Sequence, residues 1–213
     1  MKNAVKFGFA MLTAFVLWTR AVCMVDVQPI GPLGSTVGFA RMNGLVHDLT
    51  GIHMGLYALT DWLGLIPLAL VGCFGLWGLA QWIRRKSLLR VDRSLLLLGG
   101  FYLAVLAAFG FFEVWTVNYR PVLIEGQLEG SYPSSTTMLA LCVMPTAWMQ
   151  FSGRIPNPRL RRWIGWLFAG FTAFLVVGRL FSGVHWFSDI VGGALLSVGL
   201  LGLYRALPRG KIR

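Results

Sequence analysis

Six apolar segments, each about 20 residues long, have the length that a helix needs to cross the hydrocarbon core of a bilayer. Hydrophobic residues make up 56% of the chain and charged residues only 13%, so a water-soluble domain of this size could not bury its apolar surface. The connections are short. We therefore predict an all-α membrane protein, a single domain over residues 1–213, with six transmembrane helices over residues 7–25, 62–83, 94–115, 134–151, 163–181 and 186–207.

The first segment has a second interpretation, because Lys2 and Lys6 before an apolar run are also typical of a secretion signal. The sequence that follows offers no convincing small-residue cleavage site, and Arg20 interrupts it. We interpret the segment as a membrane helix.

The chain has a net charge of +11, and the positions of its basic residues indicate how it is oriented in the membrane. Of the 19 Lys and Arg residues, 15 lie at the N-terminus or in residues 84–93, 153–162 and 205–213, which are alternate connections. Basic connections stay in the cytoplasm. This pattern predicts a plasma-membrane protein with both termini cytoplasmic, and it argues against nucleic-acid binding. It also predicts that Arg120, Arg179 and His185 face outwards.

Charged groups within so apolar a chain are costly and are usually functional. His185 and Asp189 are four residues apart at the start of the sixth segment, so they share one helix face, and Asp189 can orient the imidazole as a nucleophile. Arg179 lies one short turn away, and a charged guanidinium beside an imidazole suits a phosphate. The alternative is a structural salt bridge between Arg179 and Asp189.

Two further stretches offer anion-binding groups on the same predicted face. Arg120 follows the third segment, and Ser134 and Ser135 begin the fourth. A helix N-terminus presents free N–H groups and the positive end of the helix dipole. These three connections together predict a phosphate site.

The residues of these stretches resemble the motifs of the type 2 phosphatidic acid phosphatase (PAP2) superfamily, over about residues 94–207. Arg179, His185 and Asp189 match the third motif with both spacings intact. Arg120-Pro121 match the end of the first motif, and Pro133-Ser134 match the start of the second.

The resemblance implies a PAP2-like helical bundle that hydrolyses lipid phosphates at the outer face without a metal or another cofactor. It implies that His185 forms a phosphohistidine and that Asp189 orients it. Arg120 and Arg179 would clamp the phosphate, and Ser134 and Ser135 would bind it at the helix start. The partners it implies are a lipid phosphate or diphosphate and the membrane lipids.

Two departures from the family pattern matter for the chemistry. Glu113 stands where the first motif has lysine, and Thr136 stands where the second has the histidine that protonates the leaving group. A threonine cannot serve as that acid. A lipid alkoxide, with a conjugate acid near pKa ~15.7, needs a proton, whereas phosphate, with a pKa of about 6, can leave without one. This favours a diphosphate substrate such as a polyprenyl diphosphate, unless Glu113, Glu129 or Tyr132 supplies the proton.

Three functions therefore stay open: an outer-face lipid phosphatase, a non-catalytic homologue that binds lipid phosphates, and a phosphotransferase that passes the phosphoryl group to another lipid. The sequence also predicts that several glycines let helices approach closely. These are Gly72, Gly75, Gly78, Gly99, Gly100, Gly192 and Gly193.

Overall fold

The computed structural model describes residues 2–208, and within them the chain forms seven α-helices and two short 3₁₀ turns. The helices are α1 (Lys2–Met24), α2 (Ala40–Thr50), α3 (Met54–Arg85), α4 (Arg93–Val114), α5 (Ser135–Ser152), α6 (Pro158–Phe181) and α7 (Phe187–Ala206). Residues Pro32–Gly34 and Leu88–Arg90 form the 3₁₀ turns.

The predicted all-α membrane fold is confirmed, and each of the six predicted spans corresponds to one long helix. Five of them, α1, α3, α4, α6 and α7, are long and apolar enough to cross a membrane by length and composition. The sixth, α5, has 18 residues and carries buried polar groups, among them Thr137, Thr146 and Gln150. It packs against α3, α4, α6 and α7, so its polar side chains lie among protein atoms. The remaining helix, α2, was not predicted, because it is too short to span.

Local sequence explains where several helices begin and end. Pro158 starts α6, and the Asn157 side chain before it accepts from the backbone N–H groups of Arg159 at 2.9 Å and Leu160 at 3.3 Å. Such a cap satisfies N–H groups that have no partner within the helix. At the C-terminal end of α3, Lys86 adopts a left-handed backbone conformation that terminates the helix.

The first and last helices form the most extensive helix pair among the described residues, and we call their contact the α1–α7 seam. Glycines allow this close approach: a Cβ atom on Gly202 would lie 3.0 Å from the Cα of Gly8, and one on Gly199 would lie 2.8 Å from the Leu12 side chain. The Trp18 indole N–H also donates to the Ser188 carbonyl at 3.1 Å. The seam therefore has no space for larger residues at these glycines.

The glycines of α3 and α4 behave differently, and the prediction of close helix approach is wrong for them. A Cβ atom on Gly72, Gly75, Gly78, Gly99 or Gly100 would have no atom within 4 Å. All of these except Gly72 line an apolar groove of about 850 Å³ between α3, α4 and α5. The prediction holds for Gly192 and Gly193, where a Cβ would lie 2.6 Å from the Tyr132 ring and 3.1 Å from the Ser134 carbonyl oxygen. Only Gly192 and Gly193 therefore have other residues packed closely against them.

Candidate active site

The polar residues singled out in the sequence gather at one end of the bundle. The α4–α5 connection, the α6–α7 connection and the first turns of α5 and α7 meet there. The basic connections 86–92 and 153–157 lie at the opposite ends of the same helices.

His185 is fully enclosed, and its two hydrogen bonds define its tautomer. Nδ1 lies 3.2 Å from the carbonyl oxygen of Ser131, which can only accept a hydrogen bond. Nε2 lies 3.3 Å from Nη1 of Arg120, which can only donate. We therefore assign the proton to Nδ1, and the lone pair of Nε2 faces the Arg120 guanidinium. A neutral imidazole with an unprotonated Nε2 is the form that attacks phosphorus.

The surroundings of His185 favour this neutral form. Burial is the main cause of a shift that lowers the pKa of the imidazole from 6.5 to about 4. Asp189 opposes this shift, and the positive charges of Arg120 and Arg179 act in the same direction as burial. The imidazole is thus unprotonated at neutral pH.

Asp189 is held by the start of α7 rather than by His185 alone. Its Oδ2 accepts from the backbone N–H of Trp186 at 3.0 Å, and its Oδ1 accepts from the Asn118 amide at 3.1 Å. The distance from Oδ2 of Asp189 to Nδ1 of His185 is 3.8 Å, which is too long for a hydrogen bond. Asp189 therefore acts on His185 here through its negative charge, and the direct hydrogen bond goes to Ser131.

A second layer of buried amides supports Asp189. The Asn43 amide donates to the Ser188 hydroxyl at 2.9 Å, and its carbonyl oxygen accepts from the Ser188 backbone N–H at 3.0 Å. Asn118 in turn accepts from the backbone N–H of Gly38 at 3.2 Å. Helix α2 and the preceding loop thus fix the start of α7.

Arg120 lies in a hairpin-like connection and is already paired. Its backbone N–H donates to the carbonyl of Glu129 at 2.9 Å, and its Nε lies 3.0 Å from Oε2 of the same residue. The turn at Glu125 and Gly126, both with positive φ, closes this hairpin. The guanidinium is directed to His185 by a carboxylate on the opposite strand of the connection.

Arg179 is buried and makes contacts that the sequence did not predict. Its Nε donates to the Thr136 hydroxyl at 2.9 Å, and its Nη2 lies 2.9 Å from Oδ1 of Asp61 on α3. The guanidinium also stacks on the Tyr57 ring, 4.9 Å from its centroid. The alternative interpretation, a salt bridge from Arg179 to Asp189, is wrong. Among residues 2–208, Nη1 of Arg179 is buried and has no hydrogen-bond partner.

The two serines at the start of α5 have different positions. The Ser134 hydroxyl is buried and accepts from the Thr137 backbone N–H at 3.4 Å, while its own backbone N–H donates to the carbonyl of Asp189. Ser135 is less buried and lines a small pocket beside His185. Thr136 is only 7% exposed, so its side chain faces α3 and α6 rather than open water.

This pocket has a volume of about 60 Å³, room for about two water molecules at ~30 Å³ each. His185, Arg120 and Glu113 all line it. Phe109, Ser135 and Met138 line both the pocket and the apolar groove, so the two cavities meet at the first turns of α5. The groove runs along α4 from Leu95 to Phe109, about 21 Å at ~1.5 Å per residue.

Three residues that hold the site were missed from the sequence: Asn43, Asp61 and Asn118. Asp61 is a carboxylate one residue before a predicted span, and this was a usable signal. Asn43 lies in α2 and Asn118 in the α4–α5 connection, both outside the predicted spans, and nothing in the sequence singles them out.

The chain is similar to known proteins both in sequence and in fold. A sequence model of the PAP2 superfamily matches residues 68–213. Among solved structures, the fold is similar to the crystal structure of the first transmembrane PAP2-type phosphatidylglycerolphosphate phosphatase from Bacillus subtilis. The TM-score is 0.67 at 15% sequence identity, and the match covers 93% of this chain and 94% of the other. A search of curated proteins found no match.

Proposed function

Because this chain belongs to the PAP2 superfamily, we propose that it is a lipid phosphatase that acts through a phosphohistidine at His185 and favours a diphosphate substrate. The observation that carries the proposal is the state of His185: a neutral imidazole whose unprotonated Nε2 accepts a hydrogen bond from a guanidinium in a small pocket. The same pocket opens into an apolar groove.

The first step would form a bond between Nε2 of His185 and phosphorus while the bond from phosphorus to the leaving oxygen breaks. Arg120 would stabilise the charge on the transferring group, as preorganised donors do in phosphoryl transfer. Arg179 supports the same role, because its unsatisfied Nη1 is a buried donor that a phosphate oxygen would satisfy. Asp189 would stabilise the positive charge that develops on the imidazole.

The preference for a diphosphate follows from Thr136. Its hydroxyl accepts a hydrogen bond from Arg179, so it serves to position that arginine, and a threonine is no acid for a leaving alkoxide. A phosphate leaving group needs no proton, since its pKa is about 6.

The apolar groove supports a substrate with a long hydrocarbon chain. It runs along most of α4 and meets the pocket that His185 lines. An extended prenyl chain attached to the diphosphate would fill it, which makes a polyprenyl diphosphate the substrate class that we favour.

The orientation of the site rests on charge. The basic connections lie at the helix ends away from His185, so the positive-inside rule directs the site outwards and both termini to the cytoplasm. A cysteine introduced at Glu125 should react with a membrane-impermeant reagent outside intact cells, and one at Ser87 should not. The reverse pattern would overturn this orientation.

Two other functions have specific support. A non-catalytic binder of lipid phosphates is supported by the absence of the family's lysine and histidine, and by the carboxylate partner that each arginine already has. A phosphotransferase is supported by the same His185 chemistry, because an alcohol and water attack a phosphohistidine alike.

The test is phosphate release from a matched polyprenyl diphosphate and monophosphate by the purified protein in detergent. We expect faster release from the diphosphate and none from either with His185→Ala. Equal rates for both substrates would contradict the diphosphate preference. No release by the parent protein from any lipid phosphate would favour the binder, and transfer to an added lipid alcohol in place of release would favour the phosphotransferase.

A further inference from the structure

Glu113 lies at the end of α4 and lines the same small pocket as His185 and Arg120. Glu113 is accessible at the molecular surface, unlike His185. It stands one residue before the end of α4, so it lies between the pocket and the end of the bundle at which the α4–α5 connection begins.

The other oxygen acids near the pocket are held by other groups. Glu129 pairs with Arg120, and Asp61 pairs with Arg179. The Tyr132 hydroxyl is buried in a 2.6 Å hydrogen bond with Thr19, and burial raises its pKa.

Asp189 receives its hydrogen bonds from Trp186 and Asn118. Within residues 2–208, neither arginine of the site pairs with Glu113. Glu113 is thus the pocket carboxylate that is left available for chemistry.

A diphosphate substrate makes one proton transfer unnecessary but not the other. Polyprenyl monophosphate leaves the terminal phosphorus without an acid, yet the phosphohistidine that forms must still be hydrolysed by water. The attacking water has to lose a proton, and the histidine that could accept it elsewhere in the family is Thr136 here. A general base typically contributes about 10²–10⁴-fold to such a step.

We propose that Glu113 is the general base for hydrolysis of the phosphohistidine, an inference that rests on the proposed function. The water oxygen forms a bond to phosphorus while the bond from phosphorus to Nε2 breaks, and its electron pair returns to the imidazole. The proton of the water passes to the Glu113 carboxylate, which passes it on to water at this end of the bundle. Inorganic phosphate is released, and His185 is again neutral.

A role as general base also explains why the pocket contains Glu113, although a carboxylate there weakens the binding of a negatively charged phosphate. A negative charge at the pocket disfavours an incoming diphosphate, whereas a base at that place accelerates the second step. Arg120 and Arg179 supply the positive charge for capture, so the pocket divides the two tasks between its arginines and its glutamate.

The experiment is a rapid-quench measurement with a polyprenyl diphosphate labelled in its terminal phosphate. For Glu113→Gln we expect a burst of polyprenyl monophosphate close to one per protein, followed by turnover about 10²–10⁴-fold slower than in the parent protein. The label should accumulate on the protein in an alkali-stable, acid-labile form. The matched control is Glu125→Gln, an exposed glutamate in the hairpin turn outside the pocket, which should behave as the parent does.

A second variant separates loss of the base from loss of the fold. Turnover by Glu113→Ala should rise on addition of formate, a small base that fits the vacated space, and turnover by Glu125→Ala should not. Parental turnover by Glu113→Gln, or slow turnover without accumulated label and without formate rescue, would overturn the role of Glu113. A parent protein that releases phosphate while label never appears on His185 in any variant would instead overturn the proposed covalent mechanism.

Discussion

The site has two walls that are built in different ways. The α7 wall, which carries His185 and Asp189, is closed by neutral amides and backbone groups: Asn118 and the Trp186 N–H bind the carboxylate, and Asn43 binds Ser188 behind it. The α6 wall carries Arg179, whose partners are the charged Asp61 and the Thr136 hydroxyl.

The two walls differ in whether their buried polar groups have hydrogen-bond partners when no substrate is bound. The α7 wall is complete without a ligand, because its buried polar groups satisfy one another and hold the proton of His185 on Nδ1. The α6 wall leaves Nη1 of Arg179 unsatisfied within the described residues and ties the rest of the guanidinium to a half-exposed carboxylate. We infer that the α7 wall is preorganised, whereas the α6 wall gains its last hydrogen bond from the substrate.

The largest expected effect lies on the α7 wall. Asp189→Asn should lower turnover by roughly 10³–10⁴-fold, as comparable loss of an orienting carboxylate does beside a catalytic histidine. An amide would direct its own N–H groups at the Trp186 N–H or the Asn118 amide, and it would remove the negative charge beside the imidazole. Phosphate release is the measurement, with the exposed Asp48→Asn as the control. A loss below tenfold would show that the wall does not need the carboxylate.

On the α6 wall we expect a smaller but clear loss. Arg179→Lys should lower turnover by about 10²-fold, because one ammonium group cannot bind Thr136, Asp61 and a phosphate in the geometry of the planar fork. Arg120→Lys should have a similar effect at His185. The exposed Arg41→Lys provides the comparison. Parental rates in both site variants would assign the arginines to packing or topology.

A finer test isolates the hydrogen bond between Arg179 and Thr136. Thr136→Val keeps the side-chain shape but removes the acceptor for Nε, and leaving a buried charged donor unsatisfied costs about 1–3 kcal/mol. We expect roughly a tenfold loss, mainly as a higher KM for the diphosphate. Thr146→Val, on the same helix but bonded only to its own backbone and Tyr102, should leave KM unchanged. An unaltered KM in Thr136→Val would mean that Asp61 alone positions the arginine.

The smallest expected effect concerns pH: the imidazole of His185 should stay neutral over the range in which an ordinary histidine gains a proton. Because the pKa of His185 is lowered to about 4, its ring signals in histidine-labelled protein should not shift between pH 7 and 5. The signal of His185 is identified by its absence in His185→Ala. The unfolded chain binds a proton near pH 6.5 and the folded chain does not, so the folded state should lose stability as the pH falls from 6.5 towards 4 and level off below that. A ring titration near pH 6.5 would show that the α7 wall is open to water.

The sequence predicted the span positions and the residues that meet at the site, since apolar length and motif spacing are local properties. It could not predict the partners of Arg179. Asp61 lies more than a hundred residues away on another helix, and only the packing of α3 against α6 brings it within 2.9 Å. The glycines teach the same lesson: Gly99 and Gly192 look alike in sequence, but whether a neighbour fills the space beside them depends on which helices pair.

The α1–α7 seam has a consequence for how the protein is made. Helix α1 is synthesised before its main partner, α7, with about 160 residues between the end of one and the start of the other. At about 5–20 residues per second, α1 waits roughly 10 to 30 s in the membrane before α7 follows. During that interval Gly8 and Trp18 lack the residues that they contact in the finished bundle, Gly202 and Ser188. The α7 wall, with His185 and Asp189, is therefore complete only after α7 has been made.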